Sequence, residues 1–253
     1  MVAPQDSPSG RPPPRGARIA AEVVPRLRRE GFAFVEPEEV LECTGCPDAW
    51  RNFGTAWERL PVDGYLREGE RFRSRRYGRF RISSDSGLRE RPHGPYHQSL
   101  QHNGYAGGIQ RHYSAIEAAT SDHRIFTALV EFDCTVVSQA LSHTGAWEIE
   151  VHLFRITSGG PPATPTPEGV HRDGNDAFAV HVVDYRCRGG ATRIYSLDGE
   201  VLHERTMTRP AETLYVDDAR VLHDVTPICP RTNDVAGTRD VMIVDFHRGG
   251  PGA

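Results

Sequence analysis

At 253 residues and a net charge of −4, the chain is large enough for one substantial core and lacks the basic surplus of a nucleic-acid-binding surface. Hydrophobic residues make up 38% and charged residues 25%, a globular balance, and no apolar run approaches the roughly 20 residues that span a bilayer. All 30 basic residues are arginine, which excludes a Schiff-base lysine and a P-loop lysine.

Residues 1–16 are rich in Pro, Gly and Arg and are expected to be a disordered tail. They contain no apolar segment of the kind a secretion signal needs, so a cytoplasmic location is expected. Residues 17–30 read as a helix that Pro25 kinks or splits. GFAFV (31–35) reads as a strand entering the core. Pro37, Glu38 and Glu39 start a second helix that Gly45 closes, and residues 48–60 read as a third. From residue 72 the period changes. FRSRRYGRFRIS alternates and puts Arg75, Tyr77 and Arg79 on one face. IQRHYSAI (109–116) is a weaker strand, and 121–141 reads as a helix or helix pair. Strands follow at 147–156, 177–185, 192–197, 211–218 and 239–246, separated by Gly, Pro and Asp turns. This order of helices and then strands predicts a mainly β (α+β) fold. A double-stranded β-helix of the jelly-roll or cupin-like kind is expected, with N-terminal and flanking helices, as a single domain over 17–248.

Five scattered cysteines, Cys43, Cys46, Cys134, Cys187 and Cys229, do not make a disulfide framework. Cys43-Thr-Gly-Cys46 leaves open a redox or half-zinc site on one side and a turn with incidental thiols on the other. No second CxxC accompanies it.

The most informative residues lie late in the chain, in EGVHRDGND, ARVLHDVTPI and TRDVMIVDF. His171 and Asp173 share a face if that segment is extended. His223 follows 50 residues after Asp173, and Arg239 comes 16 residues after His223. Two imidazoles and one carboxylate form a facial triad that leaves positions open on Fe(II). An arginine can clamp a carboxylate through two parallel hydrogen bonds. The set reads as an iron oxygenase using 2-oxoglutarate. Each residue also has a plain alternative: His171 beside a turn Asp, His223 capped by Asp224, and Arg239 paired with Asp240 or Asp245.

The run from about 75 to 247 resembles the bacterial 2-oxoglutarate/Fe(II) dioxygenases typified by L-isoleucine 4-hydroxylase, which hydroxylate free amino acids. The likeness lies in R-x-Y-x-R (75–79), YHQS (96–99), a Gly-Gly followed by Arg111, VHLFR (151–155) and the HxD. It continues through Gly189-Gly190, VLHDVTP (221–227) and RDVMIVDF (239–246). The resemblance implies a double-stranded β-helix that uses Fe(II), 2-oxoglutarate and O2. It carries His171, Asp173 and His223 over as metal ligands and Arg239 as the 2-oxoglutarate clamp. It also implies hydroxylation of an unactivated C–H of a free L-amino acid, with succinate and CO2 as co-products. The N-terminal third departs from the pattern. So do LQHNGYA (100–106) and the loop SGGPPATPTPEG (158–169), where side-chain selectivity is expected to reside.

Arg75 and Arg79, with Tyr77 between them, are candidates for the substrate carboxylate, against the alternative of a solvated basic strand. Glu150 is a candidate for an ammonium and His152 for a supporting donor, against a hydrated sheet face. Gln98 and Arg111 are candidates through the resemblance. His181 is expected to be a satisfied core residue, and Asp217 and Asp218 to make a turn. The partner expected is a small molecule, with no nucleic acid and no membrane. Rival readings are a non-oxidative cupin-like metal enzyme, an oxygenase acting on a carrier-bound or non-amino-acid substrate, and a binding module with a degenerate site. A rival within the class is an oxygenase that halogenates, desaturates or epimerises, of which halogenation is disfavoured because Asp173 is retained.

Overall fold

The computed structural model describes residues 15–232 and 234–248. Helix α1 (Arg15–Glu30) buries Ile19, Ala20, Val23, Val24 and Leu27, a stripe at helical spacing. Pro25 lies inside α1 without ending it. Packing of that stripe outweighs the roughly 3 kcal/mol an interior proline costs, so the expected split is absent. Of the tail read as 1–16, residues 1–14 lie outside the described residues, and Arg15 and Gly16 already belong to α1.

Strand β1 (Phe32–Val35) leads into α2 (Pro37–Thr44) and α3 (Pro47–Gly54). Both helices begin with proline, where a missing N–H removes no helical hydrogen bond. The cysteines are free thiols, and Cys46 caps α3, so the CxxC spans a helix-to-helix turn. A 3-10 turn (Thr55–Arg59) replaces the second half of the expected third helix. Next come β2 (Arg73–Ser83), β3 (Gly87–Glu90), β4 (Tyr96–His97) and β5 (Gln110–Arg111), the last far shorter than IQRHYSAI suggested. Helices α4 (Ala118–Ser121) and α5 (Arg124–Ala140) precede β6 (Trp147–Ser158) and β7 (Ala177–Tyr185). Short strands follow: β8 (Cys187–Gly189), β9 (Thr192–Tyr195), β10 (Val201–Arg205) and β11 (Thr213–Val216). The described chain closes with β12 (Leu222–Val225), β13 (Ile228–Pro230) and β14 (Gly237–His247).

The strands build an antiparallel seven-stranded sheet, in the order β1-β11-β7-β14-β6-β2-β3, and a smaller sheet β10-β9-β12. The fold is a double-stranded β-helix. One face of the large sheet packs on the helices through Met242, Val244, Phe246, Ile149, Val151 and α5. The other packs on the small sheet through Phe178, Val182, Val241 and Ile194. On the helix side, Asp133 of α5 is fully buried and accepts from Tyr215 Oη at 2.6 Å and His181 Nε2 at 2.8 Å. His181 Nδ1 meets the Thr213 hydroxyl at 2.8 Å, so His181 is a satisfied core residue.

Register arranges the opposite face as a grid. β6 pairs with β14 on one side and β2 on the other, aligning Arg73, Ile156 and Arg239 in one row, then Arg75, Phe154 and Val241. Tyr77, His152 and Ile243 form the third row, and Arg79, Glu150 and Asp245 the fourth. Because side chains alternate along a strand, all twelve point to the same face. Among the described residues no helix is long and apolar enough to cross a membrane.

Candidate active site

A pocket of about 120 Å³ lies between this face of the large sheet and the small sheet. On the small-sheet side, His171 and His223 exchange two backbone hydrogen bonds of 3.0 and 2.9 Å. Their imidazole centroids are 4.4 Å apart. The Asp173 carboxylate stands 3.5 Å from each Nε2, and the three ligand atoms lie within 4.8 Å of one another.

The HxD is not on the regular strand that its spacing suggested: His171 makes one bridge, and Asp173 lies in irregular backbone just before a bend at Gly174. The reason is Asp218. Its carboxylate accepts the backbone N–H groups of Asp173, Gly174 and Asn175 at 3.2, 2.7 and 3.1 Å, taking the place of ladder partners. Gly174 has φ +87°, and a Cβ there would sit 2.3 Å from His102 Nδ1.

Hydrogen bonds fix the ligand side chains. His171 Nδ1 donates to the Gly169 carbonyl at 2.8 Å, which turns Nε2 toward Asp173. Gln98 Nε2 donates to Asp173 Oδ1 at 3.0 Å. Burial alone would depress the His171 pKa, but the hydrogen bond and charge of Asp173, with Glu168 3.4 Å away, push it up to about 9. Burial and the neighbouring His171 push His223 down to about 4. Burial works against the Asp173 carboxylate, yet the two histidines hold its pKa well below the usual range. Burial and the charge of Asp173 raise Asp218 to about 7. Two imidazole nitrogens and one carboxylate, facing a cavity, suit Fe(II) and leave coordination positions free.

Arg239 lies on the opposite wall, 3% exposed, and among the described residues its guanidinium has no ion pair and its Nε no hydrogen-bond partner. Burial pushes its pKa down. Gly190, with φ +70°, makes room for it: a Cβ there would meet Ile228 Cγ2 at 2.8 Å and Arg239 Cδ at 3.3 Å. A buried guanidinium left open to a cavity fits the distal carboxylate of 2-oxoglutarate. It pairs with neither Asp240 nor Asp245. Asp240 instead takes Arg155 at 2.8 and 2.6 Å.

Of the other sequence candidates, Arg75, Gln98, Arg111 and His152 line the pocket. Tyr77, Arg79 and Glu150 do not. Glu150 accepts the Tyr77 hydroxyl and has His247 Nε2 at 3.3 Å, so its charge is spent behind the wall. Arg79 is half-buried, with its guanidinium against Gly94. Sequence reasoning missed Tyr96, Glu168, Asp218 and Asp245. Asp245 was within reach, because the alternation that places Arg239 on one face of RDVMIVDF places Asp245 there too. Pro165, Thr166 and Glu168 of the Pro-rich loop and Asn103, Tyr105 and Ala106 of LQHNGYA line the pocket, as expected of selectivity segments.

The fold and this donor set together define a class, the 2-oxoglutarate-dependent iron oxygenases. The chain belongs to the 2OG-Fe dioxygenase family, whose model matches residues 54–245 and whose members use Fe(II), 2-oxoglutarate and O2. It is 25% identical to the 3(1)-hydroxy-L-isoleucine 4-dioxygenase of Pantoea ananatis (strain AJ13355) over 240 residues, 90% of this chain and 96% of that one. Among solved structures it is similar to a BsmA homologue from Methylobium petroleophilum PM1, with 32% identity and a TM-score of 0.84 over 92% of this chain and 95% of that one. It shares the fold of IDO from Bacillus thuringiensis, at 19% identity and a TM-score of 0.75 over 97% of this chain and 98% of the other.

Proposed function

We propose that this dioxygenase hydroxylates an unactivated C–H bond of a free L-amino acid, with succinate and CO2 as co-products. In this reading His171, Asp173 and His223 hold Fe(II), Arg239 binds the distal carboxylate of 2-oxoglutarate, and residues 17–248 act as one domain. Fe(II) with 2-oxoglutarate and O2 supplies the oxidising power when bound. The chain's own residues bind, orient and exclude water. Gln98 and the Gly169 carbonyl hold the Asp173 carboxylate and the His171 ring in place. Phe154, Ile156, Val241 and Ile243 line the pocket with apolar surface that keeps water from the reacting centre.

One observation carries the amino-acid reading. Beyond Arg239, the same small pocket buries three further guanidinium groups, Arg73, Arg75 and Arg111, of which Arg73 pairs with Asp63 at 2.8 Å, and a carboxyl group, Asp245. A zwitterion offers charges of both signs to such a wall, whereas a buried charge left unmatched costs several kcal/mol. Similarity to a dioxygenase named for a hydroxyisoleucine substrate supports the same class.

The test is a turnover panel: anaerobic Fe(II) and 2-oxoglutarate, then O2, with free L-amino acids, reading succinate and the product mass. At least one should yield a product heavier by one oxygen atom. His171→Ala and His223→Ala should lose both turnover and divalent-metal binding while keeping their near-UV circular dichroism. Undiminished activity in both variants would remove the metal assignment. Oxidation confined to a carrier-bound group, a peptide or a molecule lacking an amine would remove the amino-acid assignment.

A further inference from the structure

Resting on that amino-acid reading, we propose that Arg111 and Asp245 are the two poles that grip the substrate, Arg111 taking its α-carboxylate and Asp245 its α-ammonium. Arg111 is 2% exposed and lines the pocket. Its one side-chain hydrogen bond among the described residues, 3.3 Å to Gln98 Oε1, leaves Nε without a partner. Among the described residues it is a buried cation with no anion.

Arg75 is already engaged. Its guanidinium lies 3.8 Å over the Tyr113 ring and 4.3 Å over Phe154, with Asp63 at 3.9 Å. It donates to His152 Nδ1 at 2.6 Å. A guanidinium can only donate, so Nδ1 accepts and the neutral ring carries its proton on Nε2. Burial, reinforced by Arg75 and Arg111, holds the His152 pKa far below its ordinary value, in keeping with a neutral ring. That Nε2 faces Asp245 Oδ2 at 3.2 Å. The two are neighbours without a hydrogen bond: His152 Nε2 and Asp245 Oδ1 are both buried without a partner. Glu150, the other acid on this face, is covered by Tyr77 and His247.

Both poles adjoin Tyr96. Arg111 lies 4.7 Å over its ring, and His152, whose Nε2 is 3.2 Å from Asp245 Oδ2, packs edge-on against the same ring at 4.8 Å between centroids. Gln98 links the carboxylate pole to the proposed metal ligand, since it accepts from Arg111 and donates to Asp173. With Arg239 assigned to 2-oxoglutarate, the described residues leave the pocket one unmatched cation, Arg111, and one carboxyl group, Asp245, whose pKa burial and the charges of Asp173 and Glu150 push well up and which an arriving ammonium would favour in its charged form. A ligand bearing both charges satisfies it, and a monoanion or a bare amine leaves one pole buried and empty.

The test is equilibrium binding, free of turnover. Zinc-loaded protein with 2-oxoglutarate is titrated calorimetrically with free L-amino acids, then with the amide and the α-hydroxy acid of whichever binds. Wild type should bind each analogue about 10- to 100-fold more weakly, the loss of one charged hydrogen bond. In Arg111→Met the preference for acid over amide should vanish while the preference for amine over hydroxyl survives. Asp245→Asn should do the reverse, and Glu150→Gln should change neither. Should Arg111→Met fail to fold, Arg111→Gln is read the same way. If wild type discriminates and both pole variants, folded and binding 2-oxoglutarate normally, keep both preferences, the poles lie elsewhere. Loss of the amine preference in Glu150→Gln would overturn the Asp245 assignment. If no free amino acid binds wild type, the amino-acid reading itself falls and takes this one with it.

Discussion

Arg239→Met separates binding from stability, because the two should move in opposite directions. The substitution keeps a long unbranched stem and removes the charge. In wild type the guanidinium is 3% exposed with its Nε unpartnered. Without 2-oxoglutarate it is therefore a desolvated charge with little to offset it. Replacing such a group by an apolar side chain should not lower the free energy of unfolding, and should raise it by up to about 2 kcal/mol. Binding should suffer instead. Two charged hydrogen bonds to one carboxylate, lost together, amount to about 3–5 kcal/mol, or two to three and a half orders of magnitude in Kd. Arg239→Lys should not restore affinity, since the planar fork is lost. Urea unfolding with and without 2-oxoglutarate reads both effects. Wild type should gain about 2.7 kcal/mol at a hundredfold excess over its Kd, and the variant almost nothing at that concentration. The reasoning is refuted if the variant loses more than about 1 kcal/mol without 2-oxoglutarate, or binds it within about threefold of wild type.

Two further outcomes follow from buried groups. His171 holds its proton up to about pH 9 through Asp173, while His223 stays neutral down to about 4, so an entering divalent ion must displace one proton, from His171. Metal affinity should rise with pH from 6 toward 9, by close to tenfold per unit, and titrations in buffers of different ionisation enthalpy should report about one proton released near pH 7. A pH-independent affinity over that range would contradict the His171–Asp173 pairing. Elsewhere, Asp133→Ala strips partners from Tyr215 and His181 in a fully buried site, and should cost about 3–5 kcal/mol in urea unfolding while 2-oxoglutarate affinity is retained. A loss below about 1 kcal/mol would mean that water or repacking replaces the network.

What could be read from the sequence was whatever periodicity encodes. Among the long strands β6 announces itself by alternation and β7 and β14 by apolar runs bounded by turn residues, while the ligand residues show by type and order. Strands of three to five residues, such as β8, β10, β12 and β13, carry too few side chains to show a period. Pro25 leaves the helix unsplit because helix propensity is local while the packing that overrides it is not. Arg79 and Glu150 were placed on the correct face of their strands, yet a face is longer than a pocket. Only the register with β14 and the cover of Tyr77 and His247 decide which rows are open. Asp218 does lie in a turn, as its sequence read, but its side-chain role was hidden because its partners, the N–H groups of Asp173 to Asn175, lie more than forty positions away.

The alternation of β14 ties the stability of the fold to the chemistry of the pocket. Met242, Val244 and Phe246 enter the helix-side core, and the intervening Arg239, Val241, Ile243 and Asp245 face the pocket. A slip of one residue would exchange the two sets. Arg239 would then meet the helices and Met242 the cosubstrate. The slip is opposed from the helix side, where Asp240 is 1% exposed and takes Arg155, its register partner on β6, through two hydrogen bonds of 2.8 and 2.6 Å. The pairing with β7 absorbs its irregularity at Asp240 and Val241, next to that anchor, so the register from Val241 to Phe246 is unbroken. The pocket face is poor in self-satisfied polar groups: Arg111, Arg239, His152 and Asp245 all bury an unpartnered atom. Such a wall cannot fix its own register. It is positioned by the apolar and paired residues on the reverse of the same strands, which leaves its charges free to be matched by ligands.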